Sequence, residues 1–179
     1  MKATSATQIC HKVGMSFLKL WKRSWHTVII DTVEGDLISL FKSGAGHLIH
    51  GCNCFHTMGK GIAKQIAREF PQALAADKET RHGCLSKLGA FSRWEHLSPR
   101  GIVYGINLYT QFYPGPNAEY FSILKGFELV NEVFSGSTLP FYIPKIGCGI
   151  GGLKWEHVED VINLATFDMN IIVVEYKKC

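Results

Sequence analysis

Residues 48–70, LIHGCNCFHTMGKGIAKQIAREF, constrain the fold most, because an apolar strand there passes through a turn holding Gly59 and Gly61 into an amphipathic helix. Unpaired N–H groups at a helix start, together with the positive end of the helix dipole, favour an anion. Glycines let the backbone approach it closely. A second junction of this type spans residues 143–158, where IPKIGCGIGGLKWEHV runs from a strand through Gly147, Gly149, Gly151 and Gly152 into another helix. Two such turns in one small domain imply a ligand with more than one phosphate, or a phosphate beside a sugar.

The chain has 179 residues, 46% of them hydrophobic, enough for one domain with a sizeable core and too few for two comfortable ones. Its net charge of +4 and pI near 8.7 suit an anionic ligand. They fall short of the concentrated basic stripe of a nucleic-acid binder. Cys10, Cys52, Cys54, Cys84, Cys148 and Cys179 lack the density and regular spacing of a secreted disulfide framework, and no cleavable signal is evident. The expectation is therefore a reducing, cytoplasmic setting. No apolar run reaches the roughly 18 to 20 residues that span a bilayer, which leaves no membrane role. Residues 1–26 carry Lys2, Lys12, Lys19, Lys22 and Arg23 around apolar Phe17, Leu18, Leu20 and Trp21, with no acid before Asp31. They read as a basic N-terminal extension ahead of a domain at 27–179. An organelle-targeting presequence has a similar composition.

From Thr27 onward β and α patterns alternate. Strands are expected at 28–33 and 47–52, a short helix after Asp36, and a helix over about 60–70 that Pro71 stops. A helical stretch from Pro71 to about Arg81 precedes strands at 88–97 and 101–108, which form a hairpin around Ser98, Pro99 and Arg100. Residues 118–134 place Phe121, Leu124, Phe127, Leu129 and Val130 at helical spacing. A strand at 139–143, a helix at 154–166 and a buried strand at 171–176 complete the chain. The sum is an α/β fold, a three-layer α/β/α sandwich.

In open α/β sheets, ligands bind beyond the carboxyl ends of the strands, where both glycine loops fall. The second loop also spells G-x-G-x-x-G at Gly147, Gly149 and Gly152, with Glu175 ending the next strand where a ribose-binding acid stands in dinucleotide folds. Against that, the fingerprint normally opens such a domain, and here few residues follow Glu175. The alternation His50, Cys52, Cys54, His56 invites a zinc site. Alternate residues on one strand face are about 6.5 to 7 Å apart, too far for adjacent corners of one tetrahedron, so Cys52 and Cys54 are read as small buried hydrophobes and no metal is expected. His50, ending a strand at the mouth of the first loop, is positioned to exchange a proton with a phosphate oxygen or an attacking water, or else is a satisfied core histidine. His56 is the alternate acid or base. Asn53 offers an uncharged donor and acceptor for a ribose hydroxyl or a water. Asp36 either caps the following helix or accepts a hydrogen bond from an adenine amino group.

These residues carry a resemblance. VEGDLISL at 33–40, CNCFHTMGKGIA at 52–63 and IPKIGCGIGGLKW at 143–155 are similar to the marks of the macro domain, the module that binds ADP-ribose. The resemblance covers nearly everything from residue 28 to 176. Within the family, LIHGCNC followed by a glycine turn and GIAKQIA is most similar to fungal-type phosphatases acting on ADP-ribose 1″-phosphate. The resemblance implies a mixed, mostly parallel sheet, His50 as the catalytic histidine with Asn53 and His56 beside it, and no cofactor. It implies Asp36 on adenine, with Leu37 beside it. It places Asn53, Gly59 and Gly61 at the distal ribose among Met58, Lys60 and Ile62, and residues 147–151 around the diphosphate. In that last run Cys148, Gly149 and Ile150 join Gly147 and Gly151, and Tyr109 and Thr110 complete the contacting set. The implied partners are ADP-ribose, its 1″-phosphate and ADP-ribosylated macromolecules, bound by a monomer. Two departures stand out against the branch that strips ADP-ribose from proteins: Gly151 replaces an aspartate, and residues 107–110 offer no lysine. A non-catalytic ADP-ribose reader and a hydrolase of ADP-ribosylated macromolecules are the alternatives.

Overall fold

The computed structural model describes residues 29–176. The basic extension at 1–26 and the expected first strand residue Val28 lie outside them. Strands β1 (Ile29–Glu34), β2 (His47–Asn53), β3 (Phe91–Ser98), β4 (Gly101–Gln111), β5 (Phe141–Ile143) and β6 (Ile171–Glu175) form one sheet in the order β1-β6-β5-β2-β4-β3. All neighbours pair in parallel except β3, which is antiparallel to β4. Parallel neighbours require crossovers, and the helices supply them: α1 (Leu37–Lys42), α2 (Gly61–Glu69), α3 (Pro71–Lys78), α4 (Tyr120–Val133) and α5 (Trp155–Ala165).

The alternation of side chains along each strand sends successive residues to opposite layers. Leu48 of β2 packs with Leu37, Phe41, Ile66 and Phe70 of the α1–α3 layer. Its neighbour Ile49 packs with Ile123, Phe127, Val158 and Ile162 of the α4–α5 layer. Both are fully buried, as the continuous apolar run of a central strand requires. Burying rings such as Phe41 and Phe127 contributes roughly 2 kcal/mol each. The sheet is thus the middle of three layers. Among the described residues no helix is long and apolar enough to cross a membrane.

Several boundaries move for local reasons. Phe70 precedes Pro71 and adopts φ −134°, ψ 81°, so α2 stops there and α3 starts with proline in its first turn. That second helix ends at Lys78, three residues before Arg81, where the Thr80 hydroxyl donates to the Asp77 carbonyl. The strand expected from Leu88 begins at Phe91, because a short 3-10 turn at Leu85–Lys87 and Gly89 at φ +74° occupy the approach. The partner strand runs on past Leu108 to Gln111, carrying three further residues to the carboxyl edge. In α4 the inward face is Ile123, Phe127 and Val130, while Phe121 and Leu129 are exposed.

Candidate functional site

Beyond the carboxyl ends of β2, β4 and β5 lies a cleft of about 580 Å³. Its floor includes Gly51, Cys52 and Asn53, and the walls are the loop into α2 and the loop following β5. Lys60, at the N-cap of α2, is extended and makes no side-chain capping bond, and the first backbone bond of the helix runs from Lys64 N to Lys60 O. The amides of Gly61, Ile62 and Ala63 therefore find no acceptor among the described residues, and all three residues line the cleft.

The opposite wall repeats the pattern. Gly152 N donates to Gly149 O, Leu153 N to Gly147 O and Ala118 N to Gly151 O, fixing the loop through its carbonyls. Among the described residues no acceptor takes the amides of Gly149, Ile150 or Gly151, which also line the cleft. Two sets of free amides facing one cavity, one of them at a helix start, form a cradle for anionic oxygens. The walls come close: a Cβ at Gly61, whose φ is +57°, would lie 3.5 Å from Ile150 Cδ1. Gly151 is fixed by space, since a Cβ there would stand 2.6 Å from Gly147 O and 2.7 Å from the Ala118 methyl. No aspartate fits at this position without displacing the loop.

Of the residues singled out from the sequence, the cleft gathers Asn53, Gly59, Lys60, Gly61, Ile62, Thr110, Gly147, Gly149, Ile150 and Gly151. Asn53 has little left to offer a ligand. Its Nδ2 donates to Thr57 O and Thr57 Oγ1 at 2.9 and 2.7 Å, and its Oδ1 accepts from Phe55 N, so the amide is spent shaping its own loop.

The histidines stand elsewhere. His50 is fully buried on the α3 side of β2, and its Nε2–H donates to Asn107 Oδ1 at 2.8 Å. The Asn107 amide is oriented by its own Nδ2, which donates to Ala73 O and Ser92 Oγ, so only Oδ1 faces the imidazole and the Trp94 indole. Burial pushes the His50 pKa down to about 4, leaving the ring neutral at ordinary pH. The ring is thus buried beneath the cleft floor rather than displayed at the mouth of the loop, with its Nδ1 3.7 Å from the Sγ of cleft-lining Cys52. His56, with the αL backbone value φ +55°, also lies off the cleft. Its Nε2 stands 3.1 Å from Thr80 Oγ1, whose hydrogen already goes to Asp77 O, so the imidazole is the donor.

The other absentees have definite places. Asp36 caps α1, its Oδ1 accepting from Ile38 N and its Oδ2 from Ser39 Oγ, beside a separate concavity of about 440 Å³. Leu37 is core beneath α1. Met58 and Tyr109 are buried with Cys52 and Cys54, and the Tyr109 hydroxyl donates to buried Asp77, which also pairs with Lys87 at 3.2 Å. Cys148 packs against the α4–α5 core. Sequence reasoning missed Gln111, which lies past the apolar part of β4, and Lys145, which the IPKIG run displays just ahead of the glycines. Lys145 pairs with Glu175 at 2.6 Å.

Sheet order and layering are those of the macrodomain fold. The macrodomain of Mycobacterium tuberculosis DarG superposes with a TM-score of 0.65 at 24% identity, covering 82% of this chain and 97% of that one. The Thermosipho africanus DarTG structure in complex with ADP-ribose superposes at 0.62 with 17% identity, over 84% of this chain and 42% of the other. By sequence the chain belongs to the family of an uncharacterized 17.5 kDa protein from the tk-vs intergenic region of Enterobacteria phage T4. The two are 38% identical over 153 residues, 84% of this chain and 98% of the phage protein. It is also 29% identical over 130 residues to the DNA ADP-ribosyl glycohydrolase of Mycobacterium tuberculosis. That match takes in 70% of this chain and 35% of the mycobacterial protein, so the chain spans about a third of that relative's length. No family model matches the chain.

Proposed function

We propose that the cleft binds ADP-ribose and that the protein hydrolyses ADP-ribose 1″-phosphate to ADP-ribose and phosphate. One observation carries the reading: the cleft presents two sets of free amides with Lys60 and Lys145, and among the described residues no carboxylate lines it. Amides and ammonium groups stabilise charge on a phosphoryl group in transfer, for which positioning and electrostatics supply most of the rate. Cleaving a glycosidic bond develops positive charge on the sugar, and enzymes of that kind commonly place carboxylates beside it. The similarity of residues 48–67 to the fungal-type phosphatases supports the same choice.

A second reading, removal of ADP-ribose from DNA, is favoured by the 29% identity to the mycobacterial glycohydrolase. The two are separated by incubating the protein with ADP-ribose 1″-phosphate and, in parallel, with ADP-ribosylated DNA. Phosphate release from the first with the second left intact is the expected result. Loss of ADP-ribose from DNA without phosphate release would replace the phosphatase by the glycohydrolase. Calorimetric binding of ADP-ribose with neither product would make the protein a reader.

A further inference from the structure

Neither of the two side chains expected to hold the attacking water is well placed for it, since His50 is buried and the Asn53 amide is engaged within its own loop. We propose that Gln111 is the residue that orients this water, through Oε1. The inference rests on the phosphatase reading.

Gln111 ends β4 opposite Asn53, at a register shift between Cys52 and Asn53 that carries the strand end to the cleft wall. Its Nε2 donates to Tyr113 O at 2.7 Å and to Gly115 O at 3.0 Å. Both partners are carbonyl oxygens, so the nitrogen must face them and the assignment of O and N is settled by chemistry. With both amide hydrogens used, the remaining group is Oε1, which accepts from no donor among the described residues. It is also not among the buried, unpartnered atoms, so it remains accessible to solvent. The side chain is thus a carbonyl acceptor clamped in one orientation on the wall of an anion-binding cleft.

An amide oxygen is too weak a base to take the proton, and the reaction does not ask it to. Water held by Oε1 forms the new P–O bond, and the bond from phosphorus to the 1″-oxygen breaks with its electron pair on that oxygen. One water proton passes by way of a phosphate oxygen to the leaving 1″-oxygen, and the other stays on the product as hydrogen phosphate. Fixing the water's direction is the work of a positioned amide in phosphoryl transfer to water generally.

The test compares wild type, Gln111→Ala, Gln111→Glu and Asn117→Ala in phosphate release from ADP-ribose 1″-phosphate and in calorimetric binding of ADP-ribose. Asn117 Oδ1 accepts from Tyr113 N, so its loss loosens the same loop without touching the Gln111 oxygen. Gln111→Ala is expected to lower kcat on the order of 10- to 100-fold with little change in ADP-ribose affinity. Asn117→Ala is expected to keep kcat within about threefold. Gln111→Glu, which retains an acceptor oxygen, is expected to recover part of the lost turnover and to acquire a limb in its pH–rate profile that falls in acid. Equal turnover of wild type and Gln111→Ala would overturn the inference and leave the phosphatase standing. Matching losses in Gln111→Ala and Asn117→Ala, with no recovery and no new limb in Gln111→Glu, would reduce Gln111 to a loop latch. Absence of release by the wild type would overturn both readings.

Discussion

The two faces of β2 carry opposite kinds of chemistry. Toward the cleft, beyond Gly51 and Asn53, the groups on offer are backbone amides, held by glycines that leave room for a ligand. Toward α3, His50 meets Asn107, Trp94 and Ser92, and the chain of bonds continues through Tyr109 to Asp77 and Lys87. The closed face holds buried histidine, carboxylate and lysine together, whereas the charged side chains lining the open face are the lysines Lys60 and Lys145. Binding and the histidine network are therefore separable: one depends on loop shape, the other on buried hydrogen bonds that set the strand's position.

The sharpest way to break this division is Gly151→Asp. Its side chain must enter space held by Gly147 O and the Ala118 methyl, so ADP-ribose affinity is expected to fall by more than about 100-fold, the scale of a misplaced binding loop.

On the closed face, His50→Ala leaves a cavity and removes a donor from Asn107, at an expected cost of about 3 kcal/mol in urea unfolding. Phosphate release by the folded fraction should remain within about fivefold of wild type. A loss of several hundredfold in a variant shown to be folded would return His50 to the chemistry.

The buried histidines also give a pH signature. Burial holds the pKa of both His47 and His50 near 4, against an ordinary value of 6.5. Below pH 6.5 the unfolded chain takes up protons that the folded chain refuses, so stability falls as pH drops from about 6.5 to 4. For fully buried His50 the loss is at most about 3 kcal/mol, and for His47 it is smaller because solvent screens that ring in part. Thermal melts of wild type and His50→Gln across that interval measure it, and the variant should lose stability less steeply. The smallest effect belongs to Lys60→Ala, which removes an exposed charge at the cleft rim. A three- to tenfold weakening of ADP-ribose binding is expected, shrinking at high salt.

Much of the lining of the cleft was legible in the sequence because it is local. A strand, a glycine turn and a helix within residues 48–70 determine the amide cradle whatever the rest of the chain does. The role of His50 was not, because alternation puts Leu48, His50 and Cys52 on one strand face without saying which layer covers it. Only the packing of Ala73 from α3 together with the Trp94 indole from β3 closes that face. Gln111 was hidden because the apolar pattern of β4 ends at Leu108 while its pairing continues. In α4, hydrophobicity pointed to Phe121 and Leu129, whereas Ser122, Gly126 and Asn131 turn inward; Asn131 Oδ1 accepts from Phe167 N and ties the helix to the segment after α5.

The central claim, that backbone amides of the two glycine loops form the ADP-ribose site, is tested most directly by calorimetric titration of the wild type and Gly151→Asp with ADP-ribose. Saturable one-to-one heat in the wild type, absent from a variant with an unchanged circular dichroism spectrum, is the predicted result. No heat from the wild type, or equal affinity in the folded variant, would contradict the account.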